Sequence, residues 1–139
     1  MSGMRDAMRR FLLQRMLHVA RAAFARHPTP AQIRRITAFI APLIARRESY
    51  TSSESIAVGA CRARWIEPSD IAAESVILYL HGGAFIAESP AIHDPLLAAI
   101  GRAGRARGLM VDYRLAPEHP FPAAVEDCYA AWDYLLSSG

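Results

Sequence analysis

The sequence contains no lysine: all sixteen basic residues among its 139 are arginine. That reads as coding bias before it reads as function, but it removes the lysine a phosphate-binding P-loop requires. Cysteine is scarce as well. Cys61 and Cys128 have neither metal-ligand spacing nor a CxxC partner, so two free thiols in a reducing, cytoplasmic compartment are expected. No apolar run reaches the roughly 18 residues that span a bilayer. The N-terminal arginines are not followed by a clean apolar stretch with a small-residue cleavage site, so no signal peptide is read. An Arg/Ala-rich, acid-poor start resembles an organelle transit sequence only superficially. Nothing in the pattern calls for a metal or a cofactor.

What is present suits one folded domain with a real core, at 53% hydrophobic and 21% charged residues. The formal charge of +3 conceals an asymmetry. Residues 1–47 hold ten arginines against a single acid, Asp6, for a net +9, while residues 48–139 hold six against twelve, for a net −6. A basic first third suits nucleic acid or an anionic membrane. The preferred reading is a solvated helix face that meets an acidic neighbour.

Two amphipathic helices open the chain. Met8, Leu12, Met16, Val19 and Ala23 recur at helical spacing, with Arg9, Arg10, Arg15 and Arg21 mostly elsewhere. His27 and Pro28 stop that helix. The second starts at Thr29 as N-cap, with Pro30 at the first helical position and Gln32 completing a capping box. Its expected face is Ile33, Ile36, Ile40 and Leu43, and Pro42 should bend or end it. After Arg47 the polar run SYTSSES reads as a linker, dividing a helical cap segment, 1–47, from a core segment, 48–139.

Alternating residues from Ile56 through Trp65 and Ile66 read as one strand ended by Pro68. VILYL, residues 76–80, is a continuous apolar run of the kind that forms a strand covered on both faces. Asp94 and Pro95 suggest an N-cap and first turn, with Leu96, Leu97 and Ile100 following. Residues 108–113 read as another strand. A last helix begins at Pro122 with Val125, Cys128, Trp132, Leu135 and Leu136 on one face. Helical crossovers between strands predict a mostly parallel sheet with helices on both faces.

The chemistry concentrates where VILYL ends in His81-Gly82-Gly83-Ala84-Phe85. A loop leaving the C-terminal end of a parallel strand lies where open α/β sheets bind ligands. Glycines there uncover backbone N–H groups and permit positive φ. The loop matches neither GxGxxG nor GxxxxGK[ST]; on this motif alone it reads either as donors for the transient oxyanion of acyl transfer or as a glycine turn needed only to leave the sheet.

A second block sharpens that reading. DYRLAPEHPFPAA, residues 112–124, together with HGGAF, His93-Asp94 and VILYL, resembles the bacterial hormone-sensitive-lipase-like esterases of the α/β-hydrolase fold. The resemblance implies an α/β fold: an incomplete α/β-hydrolase, the N-terminal half of its sheet, preceded by the cap segment. It implies hydrolysis of carboxylic esters through a serine acyl-enzyme. It assigns the oxyanion donors to the N–H groups of Gly83 and Ala84, with Gly82 allowing the turn and His81 supporting the loop. The family has a third glycine where Ala84 stands, so the hole survives if φ at Ala84 is negative.

Beside that likeness, the charged Asp112 and Arg114 at the end of a buried strand require partners, and the prolines make 116–122 a rigid loop. Glu118 and His119 tempt one toward an acid/base pair, but adjacent residues in a proline-bound loop seldom share a proton path. No G-x-S-x-G occurs. Ser137 and Ser138 end a helix, His18 and His27 belong to the N-terminal helices, and so nucleophile, acid and base are absent from these residues. A truncated or divided esterase, inactive alone, is therefore expected. The alternatives are a non-catalytic acyl-ligand-binding or regulatory module, and an Arg-rich binder of membrane or nucleic acid. The expected ligand is a small acyl ester with no nucleic-acid partner; the candidate protein partners are a second copy or a missing C-terminal half.

Overall fold

The computed structural model describes residues 27–138, except 46 and 54, and residues 7, 8, 11, 14, 15, 18, 21 and 22. The chain divides into two compact units, Met1–Ile33 and Arg34–Gly139. In the first, every described residue from 7 to 22 is helical and exposed, Met8 and Phe11 included. Leu12, Met16, Val19, Ala23, Arg9 and Arg10 lie outside the described residues. The helix has ended by His27, whose φ is +48°.

Helix α1, Pro30–Ile44, starts on the capping box read from the sequence. Gln32 Oε1 accepts from Thr29 N–H at 2.8 Å, and Thr29 Oγ1 accepts from Gln32 N–H at 3.3 Å. Pro42 lies inside the helix, two residues before its end. The expected apolar face is only partly right. Ile36 and Leu43 are exposed, whereas Ala41 is buried and Arg34 and Thr37 are half-buried.

Among the described residues the sheet has five strands: β1 Tyr50–Ser52, β2 Ile56–Val58, β3 Cys61–Pro68, β4 Ser75–Leu80 and β5 Ala106–Asp112. Their order is β1-β3-β5-β4, with β2 also pairing β3. The parallel pairing expected from the crossover joins β4 to β5, Leu80 opposite Val111; the remaining pairings are antiparallel. Two local readings are corrected. The stretch read as linker contains β1, which hydrogen-bonds to residues 66–68. The single strand from Ile56 is a hairpin, because Gly59 at φ +57° turns the chain back after Val58. Ala130 Cβ lies 2.8 Å from where a Gly59 Cβ would stand, so the turn also needs glycine for space.

Helices cover both faces. β5 is buried from Gly108 to Val111, its residues alternating between two cores. Leu109 and Val111 face a cluster with Val58, Cys61, Ala63, Tyr113, Ala124 and Ala131. Met110 packs with Ile66, Leu97 and Ala98. Gly108 lets Leu97 seat on the strand, since a Cβ there would fall 2.4 Å from the leucine side chain. Leu97 and Ala98 belong to α2, Pro90–Gly104, and Ala124 and Ala131 to α3, Ala123–Ser138.

Helix α2 begins one turn earlier than Asp94-Pro95 suggests. Ser89 is its N-cap and Pro90 its first residue, so Pro95 lies within it and buried Asp94 turns to other work. Helix α3 rests on small residues: Ala123, Ala124, Asp127 and Ala131 are buried, while Val125, Trp132 and Leu136, expected inside, are exposed. Alanines allow the helix to approach the sheet closely, which leaves the bulky side chains on the other side. Among the described strands β4 is an edge, with Val76 and Leu80 exposed. It is not covered on both faces.

Candidate active site

The parallel register brings the ends of β4 and β5 side by side, and both loops leave the sheet at that edge. From β4 come His81, Gly82, Gly83 and Ala84, and from β5 come Asp112, Tyr113 and Arg114. This is the edge at which α/β sheets hold ligands.

The β4 loop is a tight left-handed turn. Gly83, Ala84 and Phe85 have φ of +136°, +54° and +60°. Gly83 O accepts the N–H groups of both Ile86 and Ala87, at 3.0 and 3.1 Å. Only glycine fits at 83: a Cβ would lie 1.9 Å from Ala87 O. Among the described residues, no backbone carbonyl takes the N–H of Gly83 or Ala84, and both residues are exposed. The negative φ at Ala84 that was the condition for keeping the hole is not met, so the N–H of this residue points as a third glycine in left-handed backbone would aim it. Alanine keeps its N–H here in a left-handed conformation that costs a non-glycine residue about 1–2 kcal/mol.

His81 is buried at 4% exposure. Its Nδ1 is 2.9 Å from Gly82 O; a carbonyl can only accept, so Nδ1 carries the proton. Its ring stacks on Tyr113, centroids 4.1 Å apart and 10° from parallel, and Tyr113 Oη donates to His81 O at 2.6 Å. His81 Nε2 has no hydrogen-bond partner among the described residues. Beside it, His93 lies with its ring 5.7 Å from that of His81 and its Nδ1 3.1 Å from Tyr79 Oη. Burial, reinforced by His81, holds the His93 imidazolium below its ordinary range.

Charged pairs brace the surrounding loops. Arg64 of β3 bonds Asp112, Asp94 at 2.9 Å and Glu88 at 3.2 Å, drawing together β5, α2 and the β4 loop. Burial raises the Asp112 carboxyl, and Arg64 opposes that rise. Asp127 of α3 is 1% exposed. It accepts Arg114 N–H at 2.8 Å and the Arg114 guanidinium at 2.9–3.1 Å. Asp112 and Arg114 both find partners, as a buried strand end demands, though not each other.

The Glu118 carboxylate pairs with Arg34 of α1 at 2.7 Å, and no hydrogen bond joins it to His119 among the described residues. Ser137 and Ser138 both donate to Tyr134 O, at 3.0 and 2.7 Å, closing the end of α3. His18 is an exposed helical residue and His27 sits in the break before α1. Among the described residues, Glu118, His119, Ser137 and Ser138 make no hydrogen bond to residues 81–84. Among the described residues no group of three or more His, Cys, Asp or Glu side chains could hold a metal ion, and no helix is long and apolar enough to cross a membrane. Arg34, Arg64, Tyr113 and Asp127 carry the frame, and sequence reasoning singled out none of the four for it. Only Tyr113 had a signal, its place between the two charged residues of DYR.

The geometry has counterparts of known kind. The family model for the alpha/beta hydrolase fold matches residues 77–139. An acetyl-hydrolase of Streptomyces hygroscopicus is 45% identical over 84 residues, covering 60% of this chain and 28% of that protein. Esterase LipI of Mycobacterium tuberculosis is 43% identical over 70 residues, covering 50% and 22%. A crystal structure of an esterase from the bacterial hormone-sensitive lipase family superposes with a TM-score of 0.70 at 38% identity, covering 81% of this chain and 37% of that one. The chain thus spans between about a fifth and two fifths of the length of these relatives. Over the residues matched, the chain is similar to the alpha/beta hydrolase fold family and to esterases of the bacterial hormone-sensitive lipase family.

Proposed function

We propose that residues 81–84 form the oxyanion hole of a carboxylic ester hydrolase. The observation that carries this reading is a pair of exposed residues, Gly83 and Ala84, whose N–H groups no described backbone carbonyl takes, on a turn leaving the C-terminal end of β4. Preorganised donors lower a barrier because they need no rearrangement as charge develops; one such donor is worth roughly 2.7–4 kcal/mol. Gly82 and Gly83 make the turn, and His81 supports it through Gly82 O and Tyr113.

The reaction in the whole protein is serine attack on an acyl carbonyl, capture of the oxyanion at Gly83 and Ala84, and hydrolysis of the acyl-enzyme by water. These 139 residues hold no G-x-S-x-G. On this reading the nucleophile, acid and base come from residues outside them, against the open edge of β4, and the 139-residue chain alone does not turn over esters. Residues 1–47 serve as cap, and the two unpaired thiols suit a cytoplasmic setting.

Hydrolysis of p-nitrophenyl esters by the 139-residue chain and by the complete reading frame is the direct test. Activity only in the complete frame, with G-x-S-x-G codons about one strand beyond Gly139, is the expected result. Frame sequences without such codons, combined with saturable acyl-ligand binding and no hydrolysis, would favour the non-catalytic module instead.

A further inference from the structure

Arg34 lies on the half-buried side of α1, and its guanidinium serves three acceptors at once. Nε donates to Ile86 O at 2.6 Å, one terminal nitrogen donates to Ala116 O at 2.9 Å, and the two terminal nitrogens take the Glu118 carboxylate at 2.7 Å each. Ile86 follows directly on the left-handed turn. Ala116 is itself bound to that turn, its N–H donating to Phe85 O at 2.8 Å. One side chain therefore fastens the loop after β4 to the loop after β5.

We propose that Arg34 is a positioning residue for the loop that carries Gly83 and Ala84, an inference that rests on reading that loop as the oxyanion hole. Arg34 acts through two backbone carbonyls and touches no reacting atom. The Glu118 carboxylate fixes the rotation of the guanidinium, and the rest of the fork then meets Ile86 O and Ala116 O. The arrangement needs a planar donor with several N–H groups at fixed angles, which lysine does not provide. It also opposes the strain in the turn. Three consecutive positive φ values, two of them in non-glycine residues, persist only where surrounding contacts over-determine them.

The test compares wild type, Arg34→Lys, Arg34→Gln and Glu118→Gln. In the complete reading frame, kcat and KM for p-nitrophenyl acetate are measured. Both Arg34 variants should lose about tenfold or more in kcat, with KM within about twofold, since a small misplacement of donors acts on the transition state. Glu118→Gln, which keeps both carbonyl contacts, should lose less than about threefold. In the 139-residue chain, amide exchange at Ile86, Ala87 and Ala116 should quicken about tenfold in the Arg34 variants while Leu109 and Val111 in β5 stay protected. Unchanged exchange at those three amides overturns the proposal, as does an unchanged kcat or an equal loss in Glu118→Gln. If the wild-type frame hydrolyses no ester, the functional reading fails separately, and the exchange pattern still decides whether Arg34 holds the loop.

Discussion

Tyr113 covers the ring of His81 and donates its hydroxyl to the carbonyl of that same residue at 2.6 Å. A residue of β5's outgoing loop thus holds the first residue after β4 by side chain and backbone together. Tyr113→Phe keeps the stack and leaves His81 O without its donor. The expected loss is about 1–3 kcal/mol in urea unfolding, the cost of a buried unsatisfied group. Tyr113→Ala should lose about 3–5 kcal/mol because it also opens a cavity. Wild-type stability in Tyr113→Phe would assign the hydroxyl no role, and equal losses in the two variants would assign none to the ring.

Positions 83 and 84 should respond in opposite directions. Gly83→Ala forces a Cβ against Ala87 O, so the turn must open and stability should fall by about 1–3 kcal/mol. Ala84→Gly releases a left-handed alanine and should gain up to about 1 kcal/mol, part of the relief being returned as unfolded-chain entropy. Thermal unfolding of the two variants checks both signs.

Asp127 supplies a third prediction. Its carboxylate is buried and holds both the N–H and the guanidinium of Arg114. Asp127→Ala takes away the buried carboxylate, leaves Arg114 only its longer contacts to Glu126 and Ala123 O, and should lower the denaturant midpoint. Asp127→Asn keeps one acceptor oxygen and should lose less. Denaturant midpoints for the pair separate the charge from the hydrogen bonds.

Acid stability should depend on Glu118. Arg34 holds this carboxyl down at about 2 from its ordinary 4.5, chiefly by hydrogen bonding. Below pH 4.5 the unfolded chain binds the proton first, so stability falls with pH across the window from about 4.5 to about 2. Glu118→Gln should flatten that part of the profile. An unchanged acid limb, followed by circular dichroism at fixed urea, would count against the pair.

The alkaline side runs the other way. Burial pushes the Cys61 thiol up to about 11 from 9, and the Tyr113 phenol up to about 12 from 10. Between pH 9 and 12 the unfolded chain releases these protons earlier, so it binds fewer and stability falls as pH rises. Cys61→Ala should make the loss between pH 9 and 11 shallower. The same burial predicts slow alkylation of Cys61 in the native state.

Local signals explain which elements were legible. The capping box at Thr29 and Gln32 involves residues three apart, and the run from Gly108 to Val111 states its own double burial. The hairpin at Gly59 escaped because alternation continues through the turn, leaving one glycine as the sign of reversal. The inner face of α3 escaped because alanines at 124 and 131 pack where bulk was expected. In the site, the glycine loop could be read from residue types alone. Its supports could not: Arg34 meets Ile86, Ala116 and Glu118 across more than fifty residues of chain, and Arg64 meets Asp94 across thirty. Such pairings leave no period in the sequence.

Gly83 directs its carbonyl into the turn, where two N–H groups occupy it, while no described backbone carbonyl takes its own N–H or that of Ala84. The exposed part of the loop therefore presents donors without the matching acceptor. These donors are electropositive, and a peptide N–H does not titrate in the working range of a protein. On the proposed reading of this loop, the pull of these two N–H groups on a developing negative oxygen does not itself change with pH, for as long as the turn stands.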